Sequence, residues 1–277
     1  MRRVQGRSSR AFVTAAIAAV SLAAMASPAS AVTLFPDLKT GQIKQGDLMI
    51  SKPQTKHAKL EISNEVVNVG RGPVEIATGE TSNNCDGDNV PDNDVDGTQM
   101  LYEDDGDGVF VRDDDTTAVP SGNPSLCVKQ QGDYYWQIWN LARYTLTSIR
   151  TGEIARERDK IAYCTVDSTP LFPELDGYVP EAYYPLAGPN GLCQPGGTLG
   201  ISIGWADIYS FGLPGQQLSL EGLTGGRYCL TSEANPAEVL EEGSAAPDPY
   251  ANNSRSVLVR LHLHAGTVEK LAQGCDV

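Results

Sequence analysis

The chain has 277 residues, and its 35 acidic residues outnumber its 21 basic ones, which gives a formal charge of −14 at pH 7. A surface this acidic argues against nucleic acid and anionic membrane surfaces as partners, because both repel negative charge. It suits cationic substrates or metal ions, and it equally suits an acidic coat that keeps a protein in solution.

The first 31 residues predict export. Four arginines precede a short apolar run, AFVTAAIAAVSLAAMA, which is followed by the small residues Ala29, Ser30 and Ala31. This pattern is typical of a secretory signal peptide, and no later segment has the apolar length of a transmembrane helix. We therefore expect a secreted chain over 32–277 with no membrane span. Its formal charge would be −18, because removal of four arginines leaves 17 basic against 35 acidic residues.

Strand-like runs rich in branched and aromatic residues follow one another along the chain, without helical runs between them. They are, in order, KLEISNEVVNVG (59–70), PVEIAT (73–78), YYWQIWNLARYTLTSI (134–149), KIAYCTV (160–166), QLSLEGL (217–223), GRYCLTS (226–232) and SVLVRLHLHA (256–265). Turn sequences such as GRGP, GPNG and LPGQ lie between them. The pattern predicts an all-β fold, most simply one antiparallel β-sandwich domain with long loops.

The six cysteines all follow the predicted cleavage site. An even number in an exported chain indicates three disulfides, because such chains meet an oxidising environment. Six cysteines allow fifteen pairings, and the spacing fits neither a zinc ribbon nor a CxxC redox motif. We favour pairs between neighbours in the sequence, which would be Cys85–Cys127, Cys164–Cys193 and Cys229–Cys275.

An acidic segment, 85–115, separates the second and third runs and is interpreted as a loop insertion. Within it, DNDVDGTQMLYE has the spacing of a calcium loop, with Gly97 at the sharp turn. The ligand positions would hold Asp92, Asp94, Asp96, Thr98 and Glu103. A second, weaker register combines Glu103 with Asp105, Asp107 and Gly108. Because no amphipathic helices flank the segment, the alternatives are a structural calcium loop and an acidic loop without a ligand.

Two further motifs match known site patterns, but an ordinary structural role explains each of them better. GISIG fits the G-x-S-x-G pattern of a hydrolase nucleophile, Ser202, but that pattern requires a strand followed by a helix, and a turn-rich β segment follows here. His262 and His264 would share one strand face and could hold a metal, although such a pair is more often ordinary strand surface.

The stretch DYYWQIWNLARYTL raises the question of another metal site. In an extended strand, Asp133, Tyr135 and Gln137 would project to one face, as three ligands of one ion do. This trio is a poor set of metal ligands, because an amide and a neutral phenol bind metal ions weakly.

Three segments together resemble the lysyl oxidase family, specifically its secreted bacterial members. They are KIAYC (160–164), GISIGWADIYSFGLPGQQLSLEGLTGGRYCL (200–230), and an ending made of NP, EE and DPYANN within 235–253. FPDLK (35–39) and VVNVGRGPVEI (66–76) extend the similarity over most of 35–277, without the acidic segment.

The resemblance implies oxidative deamination of peptidyl lysine or other primary amines by copper and a quinone cofactor. The family makes this lysine tyrosylquinone from its own chain, and the matching residues here are Lys160 and Tyr209. Its three copper histidines alternate along one strand, whereas the matching positions here hold Asp133, Tyr135 and Gln137. The stretch therefore resembles a former copper site, and we expect the protein to lack tightly bound copper and the quinone.

The resemblance also implies a calcium site that joins the two ends of the chain. Its ligands here would be Asp37, the carbonyl of Leu38, Glu242, Asp248, Asn252 and Asn253. We therefore expect a calcium-stabilised lysyl oxidase-like protein with impaired amine oxidation and an extracellular protein or amine as its partner. The alternative is a non-catalytic extracellular binding protein on the same scaffold.

Overall fold

The computed structural model describes residues 32–81, 95–121, 126–131, 135–138, 140–160, 164–185, 198–213, 215–243 and 247–275. These residues form strands, turns and one short 3-10 helix, Gln45–Asp47, and they contain no α-helix. The strands are β1 (Thr33–Leu34), β2 (Leu38–Thr40), β3 (Leu48–Ser51), β4 (Lys59–Ile62), β5 (Asn64–Asn68), β6 (Val74–Thr81), β7 (Val95–Glu103), β8 (Ala118–Pro120), β9 (Leu126–Gln131), β10 (Tyr135–Ile138), β11 (Ala142–Ser148), β12 (Ile154–Lys160), β13 (Thr169–Pro170), β14 (Thr198–Ile201), β15 (Trp205–Tyr209), β16 (Gln217–Ser219), β17 (Gly226–Ala234), β18 (Ser254–His262) and β19 (Thr267–Gln273).

The strands pair in an antiparallel manner within four sheets. A seven-stranded sheet has the order β10-β9-β7-β6-β14, with β1 and β8 also paired to β7. A five-stranded sheet has the order β12-β11-β17-β18-β19, and two smaller sheets have the orders β13-β15-β5-β2 and β16-β4-β3. The predicted all-β class is therefore confirmed, whereas the stacking of these sheets into a sandwich stays a prediction.

The five-stranded sheet packs its apolar side against the sheet made of β16, β4 and β3. Burial alternates along β11 and β17, so every second side chain faces this layer. Leu146 and Leu230 from the larger sheet and Leu60 and Ile62 from the smaller one belong to one fully buried cluster. Removal of this apolar surface from water is the main stabilising contribution to the pairing of the two layers.

Two runs that the sequence predicts as single strands each form two strands, and these belong to different sheets. The run 59–70 contains β4 and β5, and the run 134–149 contains β10 and β11. In the second run Asn140 has a φ of 59°, a left-handed conformation that interrupts an extended chain. The sequence shows no glycine or proline at either break, which explains why the patterns read as continuous.

The strands that the sequence did not indicate include both edges of the five-stranded sheet, β12 and β19. Edge strands commonly carry charged side chains, and β12 reads IARERDK, so the apolar alternation is weak. The predicted strand 160–166 is wrong at its far end, because Lys160 ends β12 and Cys164 to Val166 have no strand conformation.

The acidic segment is not wholly a loop, because it contains β7. Val95, Gly97, Gln99 and Leu101 are buried at alternate positions, and β7 pairs with both β6 and β9. Asp96, Thr98 and Glu103, three of the predicted calcium ligands, lie along this extended strand, which rises about 3.3 Å per residue, and the calcium loop stays a prediction. Asp92 and Asp94 lie outside the described residues.

The disulfide Cys229–Cys275 confirms one of the predicted pairs. It joins β17 to the segment after β19, with the two Cα atoms 5.6 Å apart. Cys127 and Cys164 are also disulfide-bonded, and Cys85 and Cys193, their predicted partners, lie outside the described residues.

Candidate functional site

The two ends of the described chain meet at a cluster of carboxylates and amides, which we call the end-joining cluster: Asp37, Asn235, Glu242, Asn252 and Asn253. The Leu38 N–H donates to Glu242 Oε2 at 2.5 Å. The amides of Asn235 and Asn253 donate to Glu242 Oε1 at 2.6 and 2.8 Å. The amide of Asn252 donates to Asp37 Oδ1 at 2.7 Å.

Backbone contacts on both sides of the cluster fix its position. The Gly243 N–H donates to the Pro36 carbonyl at 2.9 Å, beside Glu242, and the Asp37 N–H donates to Asn68 Oδ1 at 3.2 Å. Gly70 packs so closely that a Cβ there would lie 2.3 Å from the Asp37 nitrogen, which only glycine allows.

A tight turn after β17 brings Asn235 to the cluster. Asn235 has a φ of 48°, and its Oδ1 accepts the Leu240 N–H at 3.1 Å. Its N–H donates to the Leu141 carbonyl at 2.7 Å, which anchors the turn on the end of the five-stranded sheet. Asn235 was not among the predicted ligands, and its only sequence signal is the Asn-Pro dipeptide, which is typical of a turn.

The carboxyl of Glu242 is strongly affected by burial. Only 6% of Glu242 is exposed, and burial is the main reason that its pKa rises to about 7. Hydrogen bonds from Asn235, Leu38 and Asn253 lower this pKa, and the neighbouring carboxylate of Asp37 raises it. Two carboxyls that repel each other in a buried place favour the binding of a cation.

Two amide oxygens in the cluster are buried without a hydrogen bond. They are Oδ1 of Asn252 and Oδ1 of Asn253. Unpaired buried oxygens are rare, because each loses its hydration without compensation. Together with the carboxylates of Asp37 and Glu242 they form an all-oxygen donor set, which is the type that calcium prefers. The residues therefore fit calcium.

The structure brings most of the predicted end-joining ligands together. Asp37, Glu242, Asn252 and Asn253 are linked by the hydrogen bonds above, and Leu38 is linked through its N–H. Asp248 is exposed, and its carboxylate accepts the Tyr250 N–H at 2.9 Å instead of a contact within the cluster.

Metal-free protein is expected to lose stability as the pH rises from about 5 to 7. Between 4.5, the ordinary pKa of glutamate, and about 7, the folded state binds a proton at Glu242 that the unfolded state has released. Unfolding then releases a proton, so it becomes easier at higher pH. The loss is on the order of 3 kcal/mol. Urea unfolding in chelator would measure it, and Glu242→Gln should remove it; an unchanged loss in that variant would contradict the assignment.

Lys160 ends β12 in the five-stranded sheet, and Tyr209 ends β15 in a different sheet. The backbone of Lys160 pairs with Ala142, a buried member of the cluster against which Tyr209 packs. The Tyr209 hydroxyl donates to the carbonyl of Cys164, four positions after Lys160, at 2.9 Å. Burial, and then the carboxylate of Asp207, raise the pKa of Tyr209 well above its ordinary value. The side chain of Lys160 lies outside the described part of the structure.

The three positions that match the copper histidines of the lysyl oxidase family by resemblance are only partly described. Tyr135 and Gln137 occupy alternate positions of β10, opposite Gln131 and Lys129, and this agrees with the predicted strand. Their side chains and the whole of Asp133 lie outside the described residues.

The structure favours an ordinary structural role for the two remaining motifs, GISIG and the histidine pair. Ser202 follows β14, is buried, and donates to Asp167 Oδ2 at 2.7 Å, and the next element is the strand β15 rather than a helix. His262 is the last residue of β18 and lies 3.4 Å from Glu269, whereas His264 belongs to the following turn, so the two do not share a strand face.

Asp104, Asp105 and Asp107 gather their carboxylates within 4.8 Å of one another. Asp105 and Asp107 belong to the weaker predicted register. The N–H groups of Gly108 and Gly106 donate to Asp104 and hold its pKa below its ordinary value, and acidic groups gathered at a surface turn are common without a metal.

Comparison with known proteins finds no match for this chain among family models or curated proteins. In the part of the chain that the structure describes, no helix has the length and apolar character needed to cross a membrane.

Proposed function

We propose that this chain is a secreted, calcium-stabilised protein that resembles lysyl oxidases and in which amine oxidation is impaired. The observation that carries the proposal is the end-joining cluster. Asp37 and Glu242 are about two hundred positions apart in the sequence, yet both belong to one hydrogen-bonded group. The resemblance alone would place these residues together, so their contact supports it.

Calcium would stabilise the scaffold by neutralising charge at the place where the ends meet. Asp37 and Glu242 supply carboxylates, and the buried oxygens of Asn252 and Asn253 supply neutral ligands. When bound, the ion replaces the proton that Glu242 otherwise retains near neutral pH. Its role is structural, because it ties β2 to the segment before β18.

The proposal that amine oxidation is impaired rests on the identity of three side chains. Asp133, Tyr135 and Gln137 stand where the family has histidines, and an amide or neutral phenol does not replace an imidazole at copper. The residues present do not fit copper, so we derive no reaction step through it. The raised pKa of Tyr209 and its bond to the Cys164 carbonyl describe a neutral, packed tyrosine.

The same three positions favour a second candidate function, a non-catalytic extracellular binding protein. It would retain the calcium-stabilised scaffold and bind a protein or an amine without oxidising it. Both candidates lack the covalent link between Lys160 and Tyr209 that a working amine oxidase of this family requires.

Peptide mass mapping of the secreted protein after incubation with copper tests the proposal. We expect the peptides that contain Lys160 and Tyr209 to be recovered separately, with no quinone staining and no peroxide release from primary amines. Tyr209→Phe is the matched control, since it removes the quinone precursor and should change none of these readouts. A linked, stain-positive product that this variant abolishes would restore a working amine oxidase and refute the impairment.

A further inference from the structure

A cavity of about 580 Å³ lies beside β2 and β5. Three basic side chains line it, those of Lys39, Lys44 and Arg255. They come from β2, the loop that follows it and the start of β18. Segments far apart in the sequence therefore supply three cations to one cavity.

The three cations belong to an acidic chain, in which 35 acidic residues outnumber 21 basic ones. Within the described ranges, Lys39, Lys44 and Arg255 form no ion pair at 4.0 Å or less. Three cations that line one cavity raise the local concentration of anions.

Glu65 is the one carboxylate among the described residues that line the cavity. Its side chain lies over Gly41, where a Cβ would meet Glu65 Oε1 at 2.3 Å, and it is not paired with Lys39 or Arg255. Desolvation, the largest influence, raises the pKa of Glu65, while Lys44 lowers it. The positive charge of the cavity thus exceeds its negative charge.

The cavity also has an apolar side, formed by Phe172 and Val67. Lys39 Nζ lies 5.3 Å from the centroid of the Phe172 ring, a weak cation–π contact that leaves the ammonium free to bind an anion. The walls are well anchored, because β2 pairs with β5 and the Thr40 hydroxyl donates to the Asn253 carbonyl.

We propose that this cavity binds a small anionic ligand in which a carboxylate, phosphate or sulfate group is attached to a flat apolar body. The anionic group contacts Lys39, Lys44 and Arg255, and the apolar body packs on Phe172. The volume lies within the range of small-molecule sites. The site does not depend on amine oxidation, and its wall is anchored partly by Asn253 of the end-joining cluster.

Isothermal titration of the calcium-saturated protein with phenyl phosphate, benzoate and inorganic phosphate tests this site. We expect one ligand per chain for phenyl phosphate or benzoate, and weaker binding of inorganic phosphate, which lacks the apolar body. Lys39→Gln and Arg255→Gln should each weaken binding about tenfold. Glu65→Gln should tighten it, because it removes the opposing carboxylate.

Lys56→Gln is the matched control, since Lys56 is an exposed lysine that does not line the cavity. It should leave the affinity unchanged. Lys44→Gln, at an exposed position, gives a second test if Arg255→Gln fails to fold. Absence of binding to all three probes, or equal weakening by Lys56→Gln, would overturn the proposal. Preferred binding of inorganic phosphate would overturn the part that concerns the apolar body.

Discussion

Calcium is expected to raise the melting temperature of metal-free protein by roughly 8–16 °C at a thousandfold excess over its Kd, because binding to the folded state alone then contributes about 4.1 kcal/mol. The physical reason is the end-joining cluster. Asp37 and Glu242 are 8% and 6% exposed, and they repel each other until a cation joins them. Scanning calorimetry in chelator and in millimolar calcium measures the shift.

Variants separate this site from the calcium loop predicted in the acidic segment. Asp37→Asn and Glu242→Gln should each remove most of the calcium-dependent shift, because each deletes a charged ligand. Asp96→Asn is the matched control, since Asp96 lies in β7 and not in the end-joining cluster. A shift that survives both cluster variants and disappears in Asp96→Asn would place the ion in the acidic segment instead.

Removal of the disulfide Cys229–Cys275 is expected to lower the free energy of unfolding by about 4 kcal/mol. The bond closes a loop with a sequence separation of 46, and a crosslink of that length restricts the unfolded chain by about this amount. It also holds the segment after β19, an edge strand with a neighbour on one side only. Urea unfolding of the Cys229→Ala/Cys275→Ala double variant in calcium measures the loss.

Hydrogen exchange identifies which strands lose protection when the disulfide is removed. We expect β19 to exchange faster in the double variant, while the amides of β11, which is paired on both sides, change only through the global loss. A loss below about 1 kcal/mol, with β19 still protected, would mean that strand pairing alone fixes the C-terminal segment.

The sequence predicts the all-β class because its branched and aromatic runs form strands such as β17, in which every second residue from Tyr228 to Ala234 is buried. It does not predict β12, because IARERDK forms an edge strand that carries charges in place of an apolar face. It also misreads β7, because acidic neighbours hide the alternation of Val95, Gly97, Gln99 and Leu101.

The candidate site, like the fold, was predicted only in part. Asp37, Glu242, Asn252 and Asn253 were predicted because a resemblance joins segments that no local pattern connects. Asn235 was not, because its role depends on a turn whose left-handed residue carries no distinctive local signal beyond Asn-Pro.

The cavity lined by Lys39, Lys44 and Arg255 could not be predicted from the sequence. Its cations come from different parts of the chain and read as ordinary surface charges. Only the folded arrangement shows that they line one cavity and that, among the described residues, none of them forms an ion pair at 4.0 Å or less.

The metal content of the purified protein tests the central claim most directly. After the protein is exposed to calcium and copper together and then dialysed, elemental analysis should find calcium bound to the chain and no stoichiometric copper. This result is expected because the end-joining cluster offers carboxylate and amide oxygens, whereas the positions of the family's copper histidines hold Asp133, Tyr135 and Gln137. One copper per chain, or a chain without calcium, would contradict the account.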